Sequence, residues 1–285
     1  AAAGVAAITG GALILLGVQK QISLGIAGIT GLTAGVAIRR KSMKVGEVGD
    51  NNNKVTEGEA LYELATKEFE EGNYKSAIGL LGRVLELDGD SAIPLNLRGY
   101  AWGELGEWEN QIRDYSRALE IGGVEDDLHL ARGAGYYNTK SYEKAIEDFS
   151  LSIETRPENR FSAFSGRGNA WFCLQKYEAA INDYSTALSL QSDNADLYYN
   201  RARAHQEKGD HSEAIGDLNN AVALGGDVIS YLMCRATSWT NLGENQKAID
   251  DYSDVLEFDD QHYIAHWLRG RLKRDEGRLL EAIAD

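Results

Sequence analysis

The stretch that decides the fold is FSAFSGRGNAWFCLQKYEAAINDYSTALSLQSDN, residues 161–194. Apolar and small residues recur in it at the spacing of one helix face, both before and after a break at residues 174–177. This pattern predicts two short helices joined by a tight turn. Neither helix buries its apolar stripe alone, so the pair needs neighbours, and the chain repeats the stretch about every 34 residues.

From Gly58 onward this period divides the chain into seven copies, of which the third has one additional residue and the last is incomplete. Small residues recur at positions 8, 20 and 27 of the copy, and Tyr, Phe or Leu recurs at position 24. Position 20 is Ala in six copies and Gln111 in the second. The predicted bounds are 58–91, 92–125, 126–160, 161–194, 195–228, 229–262 and 263–285.

The registered copies resemble the tetratricopeptide repeat (TPR) family over residues 58–285. The resemblance implies an all-α fold, a TPR α-solenoid in which antiparallel helix pairs form a right-handed superhelix and the first helices line a concave groove. Small residues at positions 8 and 20 let the two helices of a pair approach each other. The side chain at position 24 is expected to fill the gap against the next repeat.

Two charged positions recur with the copies, Arg at position 7 and Asp at position 23. Because both partners recur together, we interpret them as a structural ladder of ion pairs within or between repeats. The alternative is that the arginines bind an acidic ligand. The ladder consists of Arg98, Arg132, Arg167, Arg201 and Arg235 with Asp114, Asp148, Asp183, Asp217 and Asp251, and Arg269 and Asp285 extend it.

The family geometry implies that positions 2, 5, 6, 9, 12 and 13 face the groove. Aromatic side chains there provide contact area for a peptide, and amides satisfy its backbone. The alternative is that many of these side chains pack against adjacent repeats or a C-terminal helix. The candidate groove residues are Tyr100, Tyr137, Asn138, Asn169, Phe172, Tyr199, Asn200, Arg203 and Trp267.

Chaperone-docking members of the family hold a C-terminal carboxylate with asparagines and cations from three successive repeats. Asn169 and Asn200 match the asparagines, whereas Ser165, Ser230 and Cys234 stand where the three cations are expected. A terminal carboxylate would therefore find little counter-charge, and we do not expect docking of this type.

The first residues differ from the repeats. The uncharged runs 1–19 and 22–38 each approach the ~20 apolar residues that cross a bilayer. They predict a membrane anchor over residues 1–41, as a hairpin of two transmembrane helices or a single span, followed by a flexible linker at 42–57. The alternatives are a soluble helix pair rich in Gly and Ala, or a targeting segment.

The basic cluster after these runs, Arg39 to Lys44, predicts that the solenoid lies on the cytoplasmic, stromal or matrix side of the membrane. We expect the membrane of an organelle, with a plastid favoured over a mitochondrion, or that of a bacterium. Because the seventh copy stops in mid-helix and the chain starts without Met, we also expect a piece of a longer protein.

Charge and motifs restrict the function. The formal net charge is −15, and residues 1–57 carry six basic and three acidic side chains, so residues 58–285 account for −18. This balance disfavours nucleic acid and favours other proteins or peptides with basic faces as partners. No catalytic motif or cofactor signature is present, so we expect neither an enzyme nor a cofactor. His262 and His266 lie near Asp259 and Asp260 at a spacing that could hold a metal, but we interpret them as a surface and a semi-buried residue and expect no metal.

Together these features predict a membrane-anchored TPR scaffold for protein–protein interaction that aids the assembly or stabilisation of a membrane protein complex. The alternative is a receptor that captures basic targeting segments during protein import.

Overall fold

The structure, a computed structural model, describes residues 56–122 and 127–285. These residues are helical and contain no strand. The α-helices in this part of the chain are α1 Glu57–Glu70, α2 Tyr74–Asp88, α3 Ala92–Glu104, α4 Trp108–Glu120, α5 Leu128–Asn138, α6 Tyr142–Thr155, α7 Arg160–Cys173, α8 Tyr177–Leu190, α9 Ala195–Lys208, α10 His211–Leu224, α11 Val228–Asn241, α12 Asn245–Phe258, α13 Tyr263–Asp275 and α14 Leu279–Ala284.

The chain forms two compact units, and the boundary between them lies between Asn159 and Arg160. The first unit contains α1–α6 and the second contains α7–α14. Within each unit every odd-numbered helix packs against the helix that follows it, and this second helix packs against the first helix of the next pair. First helices of successive pairs also touch: α1 contacts α3, α3 contacts α5, α7 contacts α9 and α9 contacts α11.

The turn between the two helices of every pair contains one residue in a left-handed backbone conformation. Glycine occupies this position in five copies, because glycine has no Cβ to clash at positive φ. Lys140 and Gln175 adopt the same conformation in the third and fourth copies, with φ of 61° and 60°. The glycines at this position are Gly72, Gly106, Gly209, Gly243 and Gly277.

The additional residue of the third copy lies in the connection after α6. That helix ends at Thr155, and Pro157–Asn159 form a 3₁₀ turn before α7 begins at Arg160. Helix α7 thus includes Arg160, the residue that the prediction assigns to the end of the third copy. The number and bounds of the complete repeats stay a prediction.

Close approach within a pair depends on the small residue at position 8. A Cβ atom on Gly99 would lie 2.6 Å from Cε1 of Tyr115, and one on Gly168 would lie 2.8 Å from Cε1 of Tyr184. The position-24 ring thus packs inside its own pair. It also joins the core shared with the next first helix, since Tyr115 clusters with Leu128.

Gln111, which replaces the usual alanine at position 20, fits because two neighbours lack a Cβ. The side-chain amide lies against Gly103 of α3, and its Oε1 would be 2.8 Å from a Cβ on Gly135 of α5. Gln111 is nevertheless buried, at 4% exposure. Two glycines therefore leave the volume that the larger side chain fills.

The prediction of an integral membrane protein needs correction. No helix in residues 56–122 and 127–285 is long and apolar enough to cross a bilayer. The longest, α2, has 15 residues and extends about 22 Å, whereas a span needs about 20 residues. The predicted anchor at 1–41 and linker residues 42–55 lie outside the described residues.

The contact between Gly168 and Tyr184 predicts opposite effects for two Gly→Ala changes. Gly168→Ala pushes a Cβ into the Tyr184 ring, and such overpacking costs about 1–3 kcal/mol. Gly216 lies in α10, and apart from its chain neighbours and the backbone of its own helix no atom lies within 4 Å of the place that its Cβ would occupy. There alanine improves helix propensity, and Gly216→Ala raises the free energy of unfolding by about 0.5–1 kcal/mol.

Urea unfolding followed by circular dichroism measures both changes. A second substitution, Tyr184→Leu, separates steric conflict from helix propensity. Combined with Gly168→Ala, it gives the residues that the next pair has at the same positions, Ala202 and Leu218, which are both buried. The double variant is expected to be more stable than Gly168→Ala alone. Equal stabilisation by the two single Gly→Ala changes would contradict the packing described here.

Candidate peptide-binding site

Each ladder arginine donates two hydrogen bonds to the aspartate 16 residues later in the same helix pair. Arg132 Nε and Nη2 lie 2.7 Å from the two oxygens of Asp148. In the second unit, Arg201 Nε and Nη2 lie 2.8 Å and 2.6 Å from those of Asp217. Arg98, Arg167 and Arg235 make the same two-pronged contact with Asp114, Asp183 and Asp251.

A third bond from the same guanidinium reaches the preceding helix pair. Arg201 Nη1 donates to Ser185 Oγ at 2.9 Å, and Arg235 Nη1 donates to Asn219 Oδ1 at 2.8 Å. Arg132 bonds to Ser116 in the same way, at 3.2 Å. These acceptors were not predicted from the sequence, although a Ser or Asn recurs at position 25 of the copies and is a readable signal.

Three candidate groove residues lie in the unit that contains α1–α6, and each makes contacts inside that unit. The Tyr100 ring meets the Tyr115 ring edge to face, with centroids 5.7 Å apart. Tyr137 is buried against Tyr142. Asn138 Nδ2 donates to the Ala134 carbonyl of its own helix at 2.9 Å. These contacts leave little of Tyr137 available to a ligand.

Five candidates come together on α7 and α9 in the unit of residues 160–285. We call Asn169, Phe172, Tyr199, Asn200 and Arg203 the Arg203 cluster. The Arg203 guanidinium carbon lies 4.8 Å from the centre of the Phe172 ring and 5.8 Å from that of Tyr199. These distances are those of cation–π contacts, so two rings on neighbouring first helices hold one cation.

The two asparagines of the Arg203 cluster are linked to each other and to the core. Asn169 is buried, and its Oδ1 accepts a hydrogen bond from the Tyr184 hydroxyl at 2.8 Å. Asn200 Nδ2 lies 3.5 Å from the same oxygen. Because its Oδ1 is engaged, the Asn169 amide is held in one orientation, whereas Asn200 is half-buried and accessible.

Aromatic packing continues from the Arg203 cluster onto α11. The rings of Tyr199 and Tyr231 lie 5.2 Å apart, and the Tyr231 hydroxyl donates to Asp196 Oδ1 at 2.7 Å. Burial raises the pKa of Tyr199 to about 12, so its hydroxyl stays neutral at physiological pH. The Arg203 cluster thus combines rings with two amides and one cation, and the Asp196 carboxylate lies close to it.

Trp267 lies apart from this cluster, on α13. It is 63% exposed, and the Arg271 guanidinium carbon lies 5.1 Å from its ring centre. Both residues line an open cleft of about 700 Å³ together with Tyr263 and Leu279.

The three positions that lack a cation hold neutral groups in the structure. Ser165 is buried, at 3% exposure. Cys234 hydrogen-bonds through Sγ to Gln206 Oε1 at 2.9 Å, and burial raises the pKa of its thiol to about 12. Gln206 in turn donates to the Cys234 carbonyl. These three positions therefore supply no cation.

Comparisons with known proteins confirm tetratricopeptide repeats in this chain. A family model described as TPR repeat matches residues 168–209, and a second, described as tetratricopeptide repeat, matches residues 195–224. Together they cover α9, which carries Arg203. Repeats of this class bind other proteins or peptides, which supports a role in protein–protein interaction.

One protein of similar sequence and one solved structure of similar fold also contain tetratricopeptide repeats. Tetratricopeptide repeat protein 14 of Mus musculus is 31% identical over 97 residues, which is 34% of this chain and 12% of that protein. The chain thus spans a small part of the length of this relative. The C-terminal part of a TPR repeat-containing protein from Cytophaga hutchinsonii superposes with a TM-score of 0.69, at 14% identity, over 78% of this chain and 92% of that one.

A third similar structure is YrrB, which is described as a TPR protein with an unusual peptide-binding site. It superposes with a TM-score of 0.56 at 16% identity, covering 65% of this chain and 95% of YrrB. At this identity the likeness shows the fold alone.

The ladder geometry predicts a large stability effect for Asp217→Asn. The substitution leaves the largely buried Arg201 without its carboxylate, and breaking a buried pair costs about 3 kcal/mol. The exposed pair Arg274–Asp275 provides the control, because Asp275→Asn removes a carboxylate that water already screens. Thermal and urea unfolding of both variants measures the difference.

Replacing both partners tests whether the cost comes from the unpaired charge. Arg201→Met with Asp217→Leu is expected to recover at least half of the stability lost in Asp217→Asn, because no buried charge remains. If Asp217→Asn and Asp275→Asn unfold at the same temperature and the same urea concentration, a structural role for the ladder is refuted.

Proposed function

We propose that the chain is a protein-interaction scaffold whose first-helix surface in residues 160–285 binds a peptide segment of a partner, and that this binding aids the assembly or stabilisation of a protein complex. The observation that carries the proposal is the Arg203 cluster. It combines two rings, an accessible amide and a cation on neighbouring first helices α7 and α9, a combination suited to holding a peptide.

Two further observations support peptide binding there. Arg201, on the same helix, is engaged by Asp217 and Ser185, so the ladder contributes stability and Arg203 is left for recognition. YrrB, a TPR protein of similar fold, is described as having a peptide-binding site.

A second candidate is the capture of basic targeting segments during protein import. The charge balance favours it, because residues 58–285 carry a net charge of −18. A field of that sign attracts basic peptides over distances of about a Debye length. Affinity that arises this way falls steeply with salt, whereas contacts with rings and amides depend on salt weakly.

Substitution of the accessible amide tests the proposed surface. Random 12-residue peptides selected on the full chain provide ligands, and fluorescence anisotropy gives their affinities. Asn200→Ala is expected to weaken binding about fivefold, the effect of losing one hydrogen bond of about 1 kcal/mol. Its own bond to Asn169 is long, at 3.5 Å, so the structural cost is small.

Asn182→Ala is the matched control, because Asn182 is exposed on α8, the second helix of the same pair. It should change affinity less than twofold. Equal effects of the two substitutions, or the absence of any selected peptide, would refute binding at this surface. Selection of basic peptides whose affinity disappears at high salt would instead support the second candidate.

A further inference from the structure

Arg201 and Arg203 lie on the same helix and differ in one respect. They are two residues apart on α9, which separates their side chains by about 200° around the helix axis, on nearly opposite faces. Arg201 makes hydrogen bonds to Asp217 and Ser185. Arg203 makes no ion pair and no hydrogen bond with any residue that the structure describes, and its charge is met by ring faces alone. The first arginine is thus satisfied internally and the second is not.

The acidic residues nearest to Arg203 on its own helix are engaged elsewhere. Glu207, one turn later, lies 3.5 Å from the Tyr177 hydroxyl. Asp196, two turns earlier, accepts a hydrogen bond from Tyr231. Neither carboxylate forms an ion pair with the guanidinium, although the chain as a whole has an excess of acids.

The two rings fix which part of the Arg203 guanidinium remains available. A guanidinium over an aromatic face keeps its N–H groups in its own plane, at its edge. This planar fork matches the two oxygens of a carboxylate, which it binds through parallel charge-assisted hydrogen bonds. Stacking also limits the rotamers of Arg203, so less conformational entropy is lost when a ligand binds.

We infer that Arg203, held between Phe172 and Tyr199, is the anchor for an Asp or Glu side chain of the bound peptide. The inference rests on the proposed function, since it names the chemistry of a ligand at the same surface. Charge complementarity carries it: the one described cation of the Arg203 cluster lacks a carboxylate, and an acidic side chain supplies it.

The position of Arg203 favours a side chain over a C-terminal carboxylate. Helix α9 has first helices on both sides, α7 and α11, so a peptide that crosses these helices passes over Arg203 with an internal residue. Ser165, Ser230 and Cys234 provide no additional cation for a chain terminus. Because the surrounding protein is acidic, repulsion disfavours peptides with many acids and favours one acidic residue among neutral or basic neighbours.

Peptides with blocked ends test this inference directly. The probe is a random 12-residue library with acetylated N-termini and amidated C-termini, presented to the full chain. Selected sequences are expected to share one Asp or Glu. Replacing that residue by Asn or Gln should weaken binding to the unchanged protein about tenfold.

A double-mutant cycle assigns this loss to Arg203. In Arg203→Gln, the acidic peptide and its amide version should bind within twofold of each other. Arg203→Lys keeps the charge but loses the planar fork, and should recover part of the discrimination. Arg113→Gln removes the same charge from an exposed position on α4, outside residues 160–285, and should leave the discrimination between the acidic peptide and its amide version unchanged. Circular dichroism confirms that each variant is folded.

The outcomes separate this inference from the proposed function. The anchor is overturned if the selected peptides contain no acidic residue. It is also overturned if the acid-to-amide change weakens binding equally in the unchanged protein and in Arg203→Gln. In both cases the proposed function stands as long as binding still depends on Asn200. A parallel library with free C-termini that binds only through the terminal carboxylate also overturns the anchor. If no peptide is selected, the proposed function and the anchor fail together.

Discussion

The fold depends on the arginine at position 7, because this one side chain joins three helices. Its fork binds the aspartate of its own pair, and its remaining nitrogen reaches the second helix of the preceding pair, as in Arg201 with Asp217 and Ser185. A chain built from repeats has few long-range contacts, so its stability rests on the interfaces between neighbours. A largely buried guanidinium costs several kcal/mol to desolvate, and only complete pairing offsets that cost.

Much of this arrangement was predictable from the sequence, since Arg and Asp recur at fixed positions and a shared period implies a shared contact. The serine acceptors were not recognised, because Ser is common on exposed helix faces and its partner belongs to a different repeat. Gln111 shows the same limit. It stood out as a departure from alanine, but its accommodation by Gly103 and Gly135 depends on two other helices and becomes visible only in three dimensions.

The groove candidates were less predictable than the helices. Family geometry assigns a direction to each helix position, but it does not tell which rings are already in contact with others. Rings at position 12 illustrate this, since Tyr137 and Phe172 each meet a tyrosine across the turn of their own pair. Phe172 retains a face for Arg203, whereas Tyr137 is buried. The hydropathy of residues 1–38 predicts a membrane anchor, and the described helices give that localisation no support.

Under the proposed function, the two faces of α9 divide stability from recognition. A cation inside a solenoid must be neutralised by the chain itself, because an unpaired buried charge would open the interface between repeats. A cation on the first-helix surface needs only to be held in place, and aromatic rings do so without supplying a counter-charge. In a chain with a net charge of −15, an internal carboxylate would be easy to provide, and none reaches Arg203 among the described residues. Rings rather than acids around this arginine leave its hydrogen-bonding edge for the ligand that we propose, and this distinguishes Arg203 from the arginines of the ladder.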